Sequence, residues 1–327
     1  MQSRLFHAAG QQVSEVGLGC WQLGAEWGDV SDDHAQAILR AAHQAGVTLF
    51  DTADVYGRGR SELRIGRFLK ESGARPFVAT KIGRFPDPGL PDNCELAAMR
   101  RHVLASRQRL SVPVLDLVQL HCVPPELLAS GEVFANLRLL RSEGLLRSWG
   151  ASVESLAEAE RCLAEPDCAS LQIICNVLRQ TPVEKLLDRA AAGGVAILVR
   201  LPLASGLLSG RLTAQRQFAA NDHRNFNRDG GSFHVGETFA GLPLGKGLEL
   251  VDRLRPLLPA AVPMAQSAMR WILDHEAVTA VIPGATQPEQ VAENCAASAL
   301  PKLGTAVHAR LAEFWRQQVR PHVRGKD

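Results

Sequence analysis

The chain has 327 residues, 46% hydrophobic and 21% charged, a balance that suits a compact core and excludes disordered and collagen-like classes. With 36 basic against 34 acidic side chains the formal charge is only +2, so no global positive field draws in a nucleic-acid backbone. No apolar run reaches the roughly 18–20 residues that a bilayer crossing needs, and the opening Met-Gln-Ser-Arg-Leu-Phe-His lacks the apolar stretch of a secretory signal; the expected compartment is the cytoplasm.

From the N-terminus, residues 5–13 place Gly10 between two short runs, which predicts a β-hairpin closing the floor of the fold. Eight short apolar runs rich in β-branched residues follow, at 16–21, 47–52, 77–81, 115–121, 146–151, 171–176, 195–200 and 279–283. Between most of them lies a segment of helical period that opens on a capping residue and stops near glycine. The clearest is 31–46, with Ser31 as N-cap, acids in the first turn, Ala35, Ile38, Leu39 and Ala42 on one face, and Gly46 as the stop. Eight such βα units in about 280 residues predict a single (β/α)8 barrel domain over 1–327, because a doubly wound sheet more often uses five or six strands. The polar, aperiodic stretch 213–243 follows the seventh strand, so it is expected at the C-terminal mouth, where it shapes the pocket together with the irregular segments 83–93 and 123–129.

Seven cysteines, Cys20, Cys94, Cys122, Cys162, Cys168, Cys175 and Cys295, are scattered and never form Cys-x-x-Cys. They read as reduced, mostly buried residues, with no disulfide framework and no metal site.

In a barrel of this kind, side chains at the C-terminal ends of different strands converge on one mouth. The second strand ends in Asp51 and is followed by Tyr56, the only tyrosine of the chain; the third ends in Lys81 and the fourth in His121. A free phenol, with a pKa near ~10, is a weak acid at neutral pH, and an adjacent ammonium lowers that value. Lys81 is therefore expected to tune Tyr56, Asp51 to balance the ammonium, and His121 to orient a substrate oxygen. The set reads as a proton relay to a carbonyl oxygen, which requires a separate hydride source. Trp21, at the tip of the first strand, and Trp149, beside the end of the fifth, are candidates for lining the substrate pocket. No Gly-x-Gly-x-x-Gly follows a strand, so a dinucleotide would not be held in the Rossmann manner.

The motifs Asp51-Thr-Ala-Asp-Val-Tyr56-Gly57, Thr80-Lys81, Leu117-Val-Gln-Leu-His121 and Ile282-Pro-Gly-Ala-Thr-Gln-Pro-Glu-Gln290-Val-Ala-Glu293-Asn294 resemble the aldo-keto reductase family, and the resemblance extends over nearly the whole chain. It implies that Asp51, Tyr56, Lys81 and His121 are the catalytic tetrad, with Tyr56 as general acid, and that a nicotinamide cofactor lies extended across the barrel mouth. By the same resemblance, Ser152 and Gln172 clamp the nicotinamide carboxamide, and Arg200 takes the place of the aromatic residue that stacks on the ring in many members. The loop after it, with Pro202, Leu203, Ser205, Gly206, Leu208 and Gly210, covers the pyrophosphate, while Gly284, Thr286, Gln290, Glu293 and Asn294 meet the adenosine end.

Two departures stand out. Val153 replaces an asparagine common in the family, and Thr286 stands where NADP-preferring members often carry a basic residue. The implied cofactor is NADP, with NAD possible. The implied substrate is a small-molecule aldehyde or ketone, reduced reversibly to an alcohol by a monomer or weak homo-oligomer. Two other readings remain at this stage: a Schiff-base enzyme of the barrel-aldolase type using Lys81, and a cofactor-sensing regulatory subunit, a role that some members of the family have.

Overall fold

The computed structural model describes residues 1–24 and 30–325. An antiparallel hairpin comes first, β1 (Ser3–Phe6) against β2 (Gln11–Ser14). Eight further strands follow: β3 (Leu18–Gly19), β4 (Leu49–Asp51), β5 (Phe77–Ile82), β6 (Leu115–His121), β7 (Leu146–Ser152), β8 (Ser170–Ile174), β9 (Ala196–Arg200) and β10 (Val278–Val281). They form one parallel sheet in chain order. Its edges meet: the N–H of Gly17 donates to the carbonyl of Val281 at 2.8 Å and that of Gly19 to Pro283 at 3.0 Å, with parallel bridges Val16–Val281 and Gly19–Gly284. The sheet is thus a closed barrel.

Strand alternation fills the barrel on one side and faces the helices on the other. The interior cluster is Phe6, Val13, Leu49, Phe77, Ala79, Leu117, Ala169, Ala196, Leu198, Ala280 and Ile282. Its alanines leave room for the large rings. Phe6 lies 4.7 Å from Phe77, ring to ring, and Arg4 donates to the carbonyls of Val278 and His275, so the hairpin plugs the end where the strands begin, as the sequence predicts. A second, larger cluster joins the outer strand faces to the helices. The helix Asp32–Gln44 shows why these segments are helical: Ser31 accepts a hydrogen bond from the N–H of His34 at 3.2 Å, two aspartates sit in the first turn, and the apolar stripe is buried.

The 213–243 stretch does cross the mouth, and it is built around buried polar anchors. It contains the short helix His223–Phe226, capped by Asp222, and tight turns at Val235–Glu237 and Phe239–Gly241. The buried side chains of Asn227 and Thr238 bond each other at 3.1 Å. Anchors of this kind have no periodicity, which is why the sequence pattern there is silent. Segment 83–93 is irregular, as expected, up to the single turn Asp92–Cys94, whereas 123–129 opens the helix Pro125–Ser130. Neither of them lines the mouth cavity. All seven cysteines are free. No helix among the described residues is long and apolar enough to cross a membrane.

Candidate active site

At the C-terminal end of the barrel, β4 delivers Asp51, β5 Lys81, β6 His121, β7 Ser152, β8 Gln172 and β9 Arg200. Parallel register sets His121 beside Ser152 and Ser152 beside Gln172. Tyr56 stands on the turn after β4. That turn needs Gly57, whose φ of +58° and close approach to Gly24 leave no space for a Cβ, which would meet the Gly24 carbonyl oxygen at 2.3 Å.

The fully buried Lys81 is the hub. Its Nζ donates to Oδ1 of Asp51 at 2.6 Å, to the carbonyl of Thr52 at 2.8 Å and to the Tyr56 hydroxyl at 3.3 Å. Burial works against its charge, yet Asp51 and Tyr56 outweigh that and raise its pKa. An ammonium held so firmly cannot act as a nucleophilic amine. Burial pushes the Tyr56 phenol up to about 12, and Lys81 only partly offsets it. This differs from the expectation of a net lowering: desolvation of the phenol at the floor of the cavity outweighs the neighbouring cation. The His121 ring lies 5.7 Å from that of Tyr56. Burial, helped by Arg84, Lys81 and Arg200, drives its pKa well below the usual range, so the imidazole is neutral. Its Nδ1 is buried without a hydrogen-bond partner.

These groups open into a cavity of about 590 Å³ that extends from Trp21, Tyr56 and His121 past Ser152, Gln172 and Arg200, along the loop after β9, to Thr286, Gln290, Glu293 and Asn294. Of the other residues singled out in the sequence, Pro202, Leu203, Ser205, Gly206, Gly210 and Gly284 also line it. Its donor set suits a dinucleotide. Gln172 has an amide oxygen to offer, and the buried Nε of Arg200 is unpartnered. In the loop, Ser205 and Gly206 have φ of +55° and +99°, and the N–H of Gly206 closes the turn on the Leu203 carbonyl at 2.9 Å. Arg211, Arg216, Arg224 and Arg255 stand along the same cavity.

Two residues lie elsewhere. Trp149 is fully buried on the opposite face of β7 from Ser152, three positions along an alternating strand. Its ring packs on Phe134 and its indole N–H donates to Asp167 at 3.1 Å, so it cannot line a substrate pocket. Leu208 is turned wholly into the core. Ser205 lines the cavity, but its hydroxyl is taken up by the crossing segment: it donates to the Glu237 carbonyl and accepts from the N–H of Phe239.

Several site residues escaped the sequence reading. Gln119 offers Nε2 to Asp51 at 3.5 Å; its place two residues before His121, on the same strand face, was a usable signal. Arg84, Glu154 and Glu237 form an ion network with Arg200: Arg84 meets Glu154 at 2.6 Å and Glu237 at 3.3 Å, and Arg200 meets Glu237 at 3.5 Å. Burial and the neighbouring Glu237 raise Glu154 to about 7; the guanidiniums of Arg200 and Arg84 overcome burial to hold Glu237 at about 2. Although Cys122, Glu154 and Glu237 bring ligand atoms within 4.8 Å of one another, the two arginines already neutralise those carboxylates and repel a cation.

Barrel and site together define an oxidoreductase built on a closed parallel barrel. The chain belongs to the aldo-keto reductase family: the model of the aldo/keto reductase family matches residues 15–316. An uncharacterized oxidoreductase of Mycobacterium tuberculosis is 32% identical over 302 residues, spanning 88% of this chain and 85% of that one. The NADH-specific methylglyoxal reductase of Escherichia coli is 29% identical over 305 residues, spanning 87% and 90%. Among solved structures, a glycerol dehydrogenase from Gluconobacter oxydans aligns with a TM-score of 0.79 at 26% identity, covering 97% of this chain and 96% of that one.

Proposed function

We propose that the protein is an NAD(P)H-dependent carbonyl reductase in which Tyr56 is the general acid. The observation that carries this reading is the position of Lys81, whose Nζ bridges Asp51 at 2.6 Å and the Tyr56 hydroxyl at 3.3 Å. A nicotinamide nucleotide seated in the cavity supplies the hydride. Ser152 and Gln172 would hold its carboxamide, Arg200 would stand at the ring, the loop 202–210 would meet the pyrophosphate, and Gly284, Thr286, Gln290, Glu293 and Asn294 would take the adenosine end. NADP is the favoured nucleotide, on the strength of the arginines at the distal end; the NADH specificity named for the Escherichia coli relative keeps NAD as the alternative.

Neutral His121 donates a hydrogen bond to the carbonyl oxygen and fixes it beside Tyr56. As negative charge grows on that oxygen, Tyr56 gives up its proton, and the Lys81 ammonium stabilises the phenolate left behind. Asp51 keeps Lys81 charged and aimed. The phenol's raised pKa suits a group that must hold its proton until the oxygen becomes basic. Reoxidation of an alcohol runs the same path in reverse.

The test is steady-state reduction of small aldehydes with NADPH and with NADH, in the parent protein and in Tyr56→Phe. The expected result is turnover that the substitution cuts by at least about a hundredfold while nucleotide binding survives. Undiminished turnover by the variant would remove Tyr56 from the mechanism.

A further inference from the structure

His223 has no part in the site described above, yet it is wholly buried on the segment that crosses the mouth. Its ring lies 4.7 Å from that of Trp21, centroid to centroid, at an interplanar angle of 43°. Trp21 in turn lines the cavity with Tyr56 and His121, and it stacks toward the Tyr56 ring at 6.0 Å and 22°. His223 does not line the cavity itself; it touches one of the walls.

The imidazole is held in place. Its Nε2 stands 3.4 Å from the hydroxyl oxygen of Ser205. That hydroxyl gives its one hydrogen to the Glu237 carbonyl at 3.2 Å, so the imidazole is the donor. On the other side of the ring, Nδ1 lies 3.6 Å from Oδ1 of Asp222, whose carboxylate Arg224 binds at 2.6 Å. Burial brings the His223 pKa down to about 4 against the pull of Asp222, and the ring is neutral. A neutral planar ring with one N–H can pack on an indole and pin itself to Ser205 at the same time.

Trp21 is only partly buried, and a partly exposed side chain samples several rotamers unless a neighbour restrains it. We propose that His223 is a positioning residue for the carbonyl substrate: its ring holds the Trp21 indole at the Tyr56 end of the cavity, so that one wall of the substrate site is set by the crossing segment as well as by the strand ends. The proposal rests on the reductase reading above. Because Lys81 holds the Tyr56 hydroxyl directly, loss of the His223 ring falls on KM more than on kcat.

The test is steady-state reduction of propanal with NADPH in the parent and in three variants. His223→Leu and His223→Gln, which lack the ring, are expected to raise KM by about three- to tenfold and to change kcat and the Kd for NADPH by less than about twofold. His223→Phe keeps a ring and should return KM to within about twofold of the parent. A parent-like KM in His223→Leu, a His223→Phe as impaired as His223→Leu, or a loss confined to kcat would overturn the assignment. Fluorine NMR of protein labelled with fluorotryptophan reads the Trp21 line directly, identified by its absence from Trp21→Phe. That line should move toward the position of solvent-exposed indole in His223→Leu and hold in His223→Phe. If no carbonyl turns over with either nucleotide, the reductase reading itself fails. The fluorine arm then judges the placement of Trp21 alone: a line that moves in His223→Leu supports it, and an unmoved line overturns it.

Discussion

Gln172 donates a 2.6 Å hydrogen bond from Nε2 to Oδ2 of Asp51, so two strands that are 121 residues apart in sequence meet under Lys81. Its N–H orients Asp51, and its Oε1 is the group that the proposed function assigns to the carboxamide of a nicotinamide. Replacing it tests both. Gln172→Leu leaves a buried carboxylate oxygen short of a donor, a loss of about 1–3 kcal/mol of stability, and is expected to lower kcat as well as nucleotide affinity. Gln172→Glu sets a second carboxylate beside Asp51 and should be worse on both counts. Urea melts and nucleotide titration check this; a variant that loses only nucleotide affinity, with stability and kcat intact, would show that the bond to Asp51 is idle.

Tyr56 is the single tyrosine of the chain, which makes its phenol directly visible in the absorbance of tyrosinate. Because burial pushes it up to about 12, the folded protein without nucleotide should show no tyrosinate through the range in which a free phenol ionises. Lys81→Met removes the cation that offsets burial, so any remaining tyrosinate signal should move to still higher pH. It also leaves Asp51 charged, buried and unpaired, at a cost of about 3–5 kcal/mol. A tyrosinate midpoint at or below the ordinary phenol value of 10 would contradict the desolvated mouth.

Strand periodicity and the order of polar residues at strand ends made the barrel, the hairpin and the cluster Asp51, Tyr56, Lys81 and His121 legible in the sequence, because each depends on local pattern and on a fold rule that sends all strand ends to one mouth. Trp149 was misplaced for a reason the same rule contains: counting from Ser152 with a period of two puts it on the helix-facing side. Glu237 could not have been found. It lies in a stretch whose packing depends on single buried contacts, such as Asn227 to Thr238, and whether it meets Arg84 and Arg200 is decided only by how the segment crosses the mouth. The net direction of the Tyr56 shift was likewise hidden, since a motif shows which charges are near but not how completely water is excluded.

The Glu154–Glu237 pair gives stability a pH signature. Glu154 titrates at about 7 instead of 4.5, so between these values the folded protein holds a proton that the unfolded chain has released. Unfolding stability from this group is then greatest below 4.5 and falls as pH rises through 7. Glu237, held at about 2, acts the other way, and its contribution is lost only as pH falls below 4.5 toward 2. Urea titrations between pH 4.5 and 7 should show a decline with pH in the parent, with a slope approaching one proton that levels off above the Glu154 midpoint, and this decline should be absent from Glu154→Gln. Equal slopes in the two proteins would mean that Glu154 is ionised throughout.

Nucleotide preference turns on the distal end of the cavity. Thr286 brings no charge there; its N–H and hydroxyl both donate to Oε1 of Gln290, at 2.8 and 3.2 Å. Cations arrive from elsewhere in the fold. Arg211 pairs with Glu293 at 3.6 Å, whereas Arg216 and Arg255, which line the same cavity, have no carboxylate partner among the described residues. Two unbalanced guanidiniums favour the nucleotide that carries the extra phosphate. Because both side chains are exposed, each contact is worth little on its own, so the double replacement is the informative one. Arg216→Ala combined with Arg255→Ala should raise the Kd for NADPH by about three- to tenfold and change that for NADH by less than about twofold, as read from quenching of tryptophan fluorescence. High salt should narrow the gap in the parent protein. If the double variant weakens NADPH and NADH equally, the two arginines serve the pyrophosphate that both nucleotides share, and the preference for NADPH loses its basis.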